Sequence, residues 1–205
     1  LIFFLTYLFM LFVATGKWLY LGSGLAAGCA ASVAAYRLFP HVQRRVAAWR
    51  DPWSDVADTG YQIAQSLFAI GTGGWLGMGL GRGLPEKIPV VGEDFMISAV
   101  AEELGGLFAI CLILICLGCF LQFMMIAVRM QAMFYKLIAF GLGCEYIVQV
   151  LLTVGGAVKF IPLTGVTLPL VSYGGSSVAG TFILFSVIQG LYILKRNEEE
   201  EDEEK

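Results

Sequence analysis

FMISAVAEELGGLFAICLILICLGCFLQFMMIAV, residues 95–128, decides the class of fold. Between Glu103 and Arg129 it carries no charged side chain. About 20 consecutive apolar residues suffice for a helix to cross the ~30 Å hydrocarbon core of a bilayer. The segment therefore reads as a membrane span, with Glu102 and Glu103 in its first turns and Arg129 closing it. Similar runs flank it. Residues 133–157 and 178–194 follow, the latter closed by Lys195 and Arg196. Residues 1–16 and 19–39 precede it, with Lys17 and Trp18 marking an interface between them. The run GSGLAAGCAASVAA within 19–39 is rich in small residues, which let helices approach closely, so this span is expected to pack in a bundle. The expected fold is an all-α polytopic membrane protein with five transmembrane helices.

Composition agrees. Of the 205 residues, 58% are apolar and 14% charged, whereas a soluble domain carries roughly a quarter charged residues. This excludes a soluble domain, and the apolar content excludes a disordered chain. The net charge of -3 is a property of the C-terminus: seven of the sixteen acidic residues lie between Glu198 and Glu204. Without residues 198–205 the balance is +3. Nucleic acid is not an expected partner. Residues 197–205 read as a disordered acidic tail on the cytoplasmic side. The five cysteines, Cys29, Cys111, Cys116, Cys119 and Cys144, all fall in apolar runs, and the single histidine is His41, so zinc and cysteine-nucleophile chemistry have no support. The chain opens inside an apolar run at Leu1, which suggests a fragment whose N-terminal part is missing.

Working outward from the spans, three stretches break the apolar pattern. Residues 40–60 hold three Arg, three Asp and two Trp, an aqueous or interfacial composition. In 61–83 a ten-residue helical start, Tyr61–Ile70, is followed by seven glycines between Gly71 and Gly83. Glycine at that density disfavours a spanning helix and predicts a short helix followed by a glycine-rich loop. Residues 158–177 are too broken by Pro and Gly to be helical. Orientation is contested on physics alone. Lys195 and Arg196 place the C-terminus inside. Arg44, Arg45 and Arg50 then lie inside only if 61–80 spans, and glycine content argues that it does not.

RRVAAWRDPWSDVADTGYQIAQSLFAIGTGGWLGMGLG (44–81), GEDFMISAVAEELG (92–105) and IPLTGVTLPLVSYGGSS (161–177), in this order, resemble the signatures of the SEDS family (shape, elongation, division and sporulation), the FtsW, RodA and SpoVE proteins. The resemblance covers almost all of the chain except the acidic tail. It implies the second half of a ten-span bundle, residues 1–196, with a long extracellular loop at 40–94. That orientation puts the arginines outside. It also implies polymerisation of lipid II into peptidoglycan strands at the outer face of the bacterial cytoplasmic membrane. A class B penicillin-binding protein would be the transpeptidase partner, and membrane lipid the surroundings.

Joining two lipid-linked sugars requires a general base at the attacking hydroxyl and cations for the leaving diphosphate. Asp94 matches the family's catalytic aspartate in its Asp-Phe signature. Its position at the mouth of an apolar run also suits a helix N-cap, and the residues alone leave both roles open. Glu102 and Glu103 match the family's Glu-Glu-Leu-Gly and are expected as supporting carboxylates or as buried structural groups. Arg44, Arg45, Gln62, Gln65, Lys159, Ser172 and Ser176 are the substrate-binding candidates. The bland alternatives are headgroup contact for the basic residues and loop scaffolding for the rest. Lys159 departs from the family pattern, where a small or apolar residue is usual. A divalent cation is an optional aid to the leaving group, although the sequence shows no metal-binding cluster. Two other functions compete: a lipid II flippase, which would line a through-membrane path with polar groups, and a scaffold that only recruits a transpeptidase. The concentration of charge in one loop favours the enzyme.

Overall fold

A computed structural model describes residues 1–56, 58 and 60–203. It contains α1 (Ile2–Thr15), α2 (Trp18–Leu38), α3 (Pro40–Arg50), α4 (Tyr61–Gly73), a 3₁₀ turn (Pro85–Lys87), α5 (Met96–Glu103), α6 (Gly106–Arg129), α7 (Met133–Ala157) and α8 (Gly175–Glu203), with no β-strand among the described residues. The chain is a polytopic all-α membrane protein. Among the described residues four helices, against the five expected, are long and apolar enough to cross a membrane: α2, α6, α7 and the Gly175–Glu198 part of α8. The helix within the expected span 1–16 is α1, whose 14 residues rise only about 21 Å. It packs on α7 and on α2. Gly24 and Gly28 of α2 lie against Leu8 and Phe4 of α1, where added Cβ atoms would crowd those side chains. This is the close approach that small residues permit.

The expected span 95–128 is two helices, and the reason is the glycine-rich loop. Residues 74–79 pass through the gap between α5 and α6 and pair with both. The Gly106 N–H donates to the Gly74 carbonyl at 2.8 Å and the Leu107 N–H to that of Trp75 at 3.3 Å, satisfying two of the orphan donors at the start of α6. The carbonyls of Glu102 and Glu103 accept from the N–H groups of Met78 and Gly79, both at 2.9 Å. Gly105, the residue in the gap, has φ of 93°. A Cβ on it would collide with the Trp75–Gly77 backbone, and one on Gly77 with the backbone of residues 103–105. The glycine density that argued against a span thus serves backbone-to-backbone contact. α4, with 13 residues, rises about 20 Å, short of the hydrocarbon thickness.

α5 to α8 share one apolar core, with Ala69 of α4 part of it. Its centre is a ring trio: Phe123 of α6 meets Tyr146 of α7 at 5.5 Å and Phe185 of α8 at 5.2 Å between centroids, each edge-on. A polar tie joins three elements where the rings do not reach. Ser66 of α4 donates to the Ala157 carbonyl at the end of α7 (2.8 Å) and accepts from Ser98 of α5 (2.7 Å), with both serines fully buried.

Helix α8 runs on into the acidic stretch, through residue 203. Extending an established helix needs no new nucleus, glutamate is a good helix former, and Arg196 pairs with Glu200 one turn on at 3.3 Å. Glu204 and Lys205, the rest of the expected tail, lie outside the described residues.

That α4 falls short of the hydrocarbon thickness makes the expected one-sided placement of residues 40–94 open to a direct test. With the native cysteines replaced, Ser54→Cys in the full-length protein is expected to react with an impermeant thiol reagent added to intact cells. Labelling only after permeabilisation would place this loop inside.

Candidate active site

Asp94 lies in a turn fixed from three directions. Phe95 beside it is fully buried. The Glu93 and Asp94 N–H groups both donate to the Val90 carbonyl, at 3.0 and 3.1 Å. The Tyr173 N–H, from the loop before α8, donates to the Gly92 carbonyl at 2.7 Å. Val90 itself has φ of 55°. A left-handed β-branched residue costs on the order of 1–3 kcal/mol and persists only where the surroundings over-determine it. The N-cap of α5 is Phe95, and no side chain caps that helix. The capping role open to Asp94 on sequence is therefore not the one it has. Its half-buried carboxylate instead faces a cleft of about 310 Å³.

Three further pieces of chain build the walls of that cleft: Arg44, Arg45 and Ala48 from α3, Gln62 and Ile63 from α4, and Leu163 and Gly165 from the loop after α7. α3 is tied to this loop by two side chains. Trp49 donates its indole N–H to the Lys159 carbonyl at 3.1 Å, and an Arg45 Nη1–H donates to the Leu163 carbonyl at 3.4 Å. α4 turns Ile63, Ala64, Ser66, Ala69 and Gly73 inward at three- and four-residue spacing, which leaves Gln62 at the cleft. Burial raises the pKa of Asp94 above the ordinary aspartate value, the neighbouring Glu93 charge raises it further, and Arg45 opposes both. The cleft thus sets a carboxylate of increased basicity against two guanidiniums.

Of the expected residues, Asp94, Arg44, Arg45 and Gln62 meet in this cleft. The others lie elsewhere. Gln65 is half-buried and is not part of its wall. Lys159 has left-handed backbone (φ 61°), offers its carbonyl to Trp49, and does not line the cleft. Ser172 is 4% exposed, and its hydroxyl accepts from the Leu168 N–H at 3.0 Å within its own turn, so it is part of the loop's internal structure. Ser176 lines a second, adjoining cleft of about 480 Å³. Glu102 and Glu103 do not reach toward Asp94. Glu102 Oε1 accepts from the Leu84 N–H and Glu103 Oε1 from the Gly81 N–H, both at 3.1 Å. They pin the glycine-rich loop, which turns back toward them after passing the helix gap. Glu102 Oε2 is buried with no partner among the described residues.

Two residues that bear on the cleft escaped sequence reasoning. Glu93 is adjacent to the aspartate and acts on its charge. Gly165 (φ 71°) brings bare backbone over Asp94: a Cβ there would lie 3.8 Å from Asp94 Oδ2. A glycine inside an otherwise extended, proline-flanked segment was the available signal. Among the described residues no group of three His, Cys, Asp or Glu is placed to hold a metal ion.

The fold and the cleft together define a class: a membrane bundle that sets a carboxylate against guanidiniums beside its helices. A family model described as cell cycle protein, FtsW/RodA/SpoVE, matches residues 1–197. The chain belongs to that family. It is 38% identical over 183 residues to peptidoglycan glycosyltransferase RodA of Mycobacterium bovis, covering 89% of this chain and 39% of the relative. It is 37% identical over 198 residues to the probable peptidoglycan glycosyltransferase FtsW of Aliivibrio salmonicida, covering 93% of this chain and 48% of the relative. A solved chain, from a study of structural coordination of polymerization and crosslinking by a peptidoglycan synthase complex, matches with a TM-score of 0.69 at 26% identity, covering 92% of this chain and 52% of the other. The chain thus spans no more than about half the length of these proteins.

Proposed function

We propose that the protein carrying this chain polymerises lipid II by glycosyl transfer at the outer face of the cytoplasmic membrane, with Asp94 as general base. The observation that carries this reading is the meeting of Asp94 with Arg44 and Arg45 in one cleft. In the step, Asp94 accepts the proton of the attacking sugar hydroxyl. The hydroxyl oxygen forms the new bond to the anomeric carbon as the bond from that carbon to the diphosphate breaks. The diphosphate leaves with the electron pair, and Arg44 and Arg45 stabilise its charge. A positioned base contributes typically 10²–10⁴-fold, and a preorganised charge partner on the order of 10²–10³-fold. A class B penicillin-binding protein is the proposed partner for crosslinking; the solved relative's polymerization and crosslinking complex supports it. The names of the relatives support cell elongation or division as the process.

Purified full-length protein, supplied with lipid II and a matched partner in detergent, is expected to build glycan strands. A flippase has no work to do where there are no two membrane faces. Lipid II translocation in vesicles without polymerisation in detergent would overturn the reading. The pH profile then tests the base. Asp94 must be ionised to act, so activity falls as pH drops through its raised pKa, above the range of an ordinary aspartate. Arg45→Gln removes the group that lowers this pKa, and the acid limb moves to higher pH. Glu93→Gln removes a like charge, and the limb moves to lower pH. An acid limb unmoved by both substitutions would show that Asp94 is not the titrating base.

A further inference from the structure

The second cleft adjoins the first, and Gly165 belongs to both. Its lining is of another kind. Glu93, Gln149, Thr167, Tyr173, Ser176 and Ser177 supply a carboxylate, an amide and four hydroxyls, and among the described residues no Lys or Arg lines it. Part of this lining is already ordered: Gln149 Nε2 donates to the Thr167 carbonyl at 2.9 Å, and the Thr167 and Ser177 hydroxyls bond each other at 2.7 Å. Tyr173, 80% exposed, offers an aromatic face at the edge. A diphosphate would meet Glu93 there with no counter-charge. A neutral polyhydroxyl ring suits the cleft: its hydroxyls can donate to the carboxylate and exchange hydrogen bonds with the amide and hydroxyls, while its apolar face covers the tyrosine.

We infer that the cleft between Glu93 and the start of α8 is the acceptor-sugar subsite, holding the sugar whose hydroxyl Asp94 deprotonates. The inference rests on the proposed polymerase reading and adds a direction to it. In a displacement with inversion, the nucleophile enters opposite the leaving group. Arg44 and Arg45 put the diphosphate on one side of Gly165, so the attacking hydroxyl arrives from the other. Atoms and electrons balance: the acceptor oxygen gains the anomeric carbon, its proton goes to Asp94, and the electron pair leaves with the diphosphate.

In the first coupling donor and acceptor are both lipid II, so inhibitors resembling one half of it are the test. The free lipid II disaccharide, lacking lipid and diphosphate, probes the acceptor side. Polyprenyl diphosphate, lacking the sugar, probes the leaving-group side. Both are titrated against full-length protein. Ser176→Phe obstructs the second cleft, and Tyr173→Ala removes its aromatic edge; both residues are exposed, so the fold has little reason to change. Each variant is expected to weaken inhibition by the disaccharide at least ~10-fold, about one polar or stacking contact. Inhibition by polyprenyl diphosphate should stay within about twofold, as for independent sites. Arg45→Gln is expected to show the reverse pattern. If Arg45→Gln weakens the diphosphate while neither second-cleft variant moves the disaccharide, the subsite is wrong and the polymerase reading stands. Equal weakening of both inhibitors by the second-cleft variants also overturns the subsite. If Arg45→Gln and Asp94→Asn alter neither inhibition nor polymerisation, the underlying reading falls with it. Should Ser176→Phe not fold, Tyr173→Ala decides alone.

Discussion

Asp94→Asn in the full-length protein is expected to melt with the parent and to lose at least ~100-fold in polymerisation, the low end of a general-base contribution. The structure strengthens this comparison. Phe95, not Asp94, is the N-cap of α5, and no side chain caps that helix. The Asp94 carboxylate accepts no hydrogen bond from the described residues, so an amide of the same shape leaves no partner unsatisfied. Asn also keeps the backbone preferences of Asp in turns. Only the proton acceptor is removed. Asp94→Glu is expected to rescue little, because the extra methylene moves the carboxylate by about 1 Å and such displacement can itself cost ~100-fold. Activity is read as strand formation from lipid II with a matched partner, and stability as thermal unfolding in detergent. A stable Asn variant that still polymerises would move the base elsewhere. Glu93 would then be the next candidate, since Glu102 and Glu103 are engaged by the backbone of Leu84 and Gly81.

Gly105→Ala and Gly77→Ala are each expected to destabilise the full-length protein by about 3 kcal/mol. Roughly 1–3 kcal/mol comes from forcing an L side chain into positive-φ backbone and roughly 1–3 kcal/mol from overpacking. Both glycines have positive φ, 93° and 78°, and in both cases the new Cβ would meet backbone, which cannot rotate away as a side chain can. Gly71→Ala is the control. It lies within α4 without a positive φ, and a Cβ added there would meet no atom within 4 Å, so alanine should be neutral or stabilising by up to ~1 kcal/mol. If Gly105→Ala unfolds with the parent, the 74–79 segment does not thread the gap between α5 and α6.

How much of this was legible in the sequence differs by scale. The apolar runs of α2, α6, α7 and α8 are legible because a span is a local, one-dimensional property. Asp94, Arg44, Arg45 and Gln62 stand out by residue type and resemblance, and they line one cleft. The break after Glu103 was not legible from hydropathy, because α5 is apolar enough to pass for the first turns of α6. Its signal was the Gly105–Gly106 pair, whose meaning depends on a loop some thirty residues earlier. The two roles open to Glu102 and Glu103 depend on the same break: on one continuous helix they project below Asp94, and on a helix that ends beside the loop they face its N–H groups. For Ser172 and Lys159 the sequence leaves scaffold and ligand roles open; the loop's path turns the Ser172 hydroxyl onto its own backbone and places Lys159 outside the first cleft.

The gap at Gly105 also has a mechanical meaning. One unbroken helix over 95–128 would be a rod about 50 Å long with Asp94 at its tip, and a 10° tilt imposed by bilayer thickness would sweep that tip by roughly 9 Å. α6 alone, at 24 residues or about 36 Å, is long enough to span. α5 is held as well by α4, the buried serine pair and the pinned loop. The break replaces one long lever by a short helix with several anchors, so the station of the carboxylate against α3 does not hang on the axis of α6 alone.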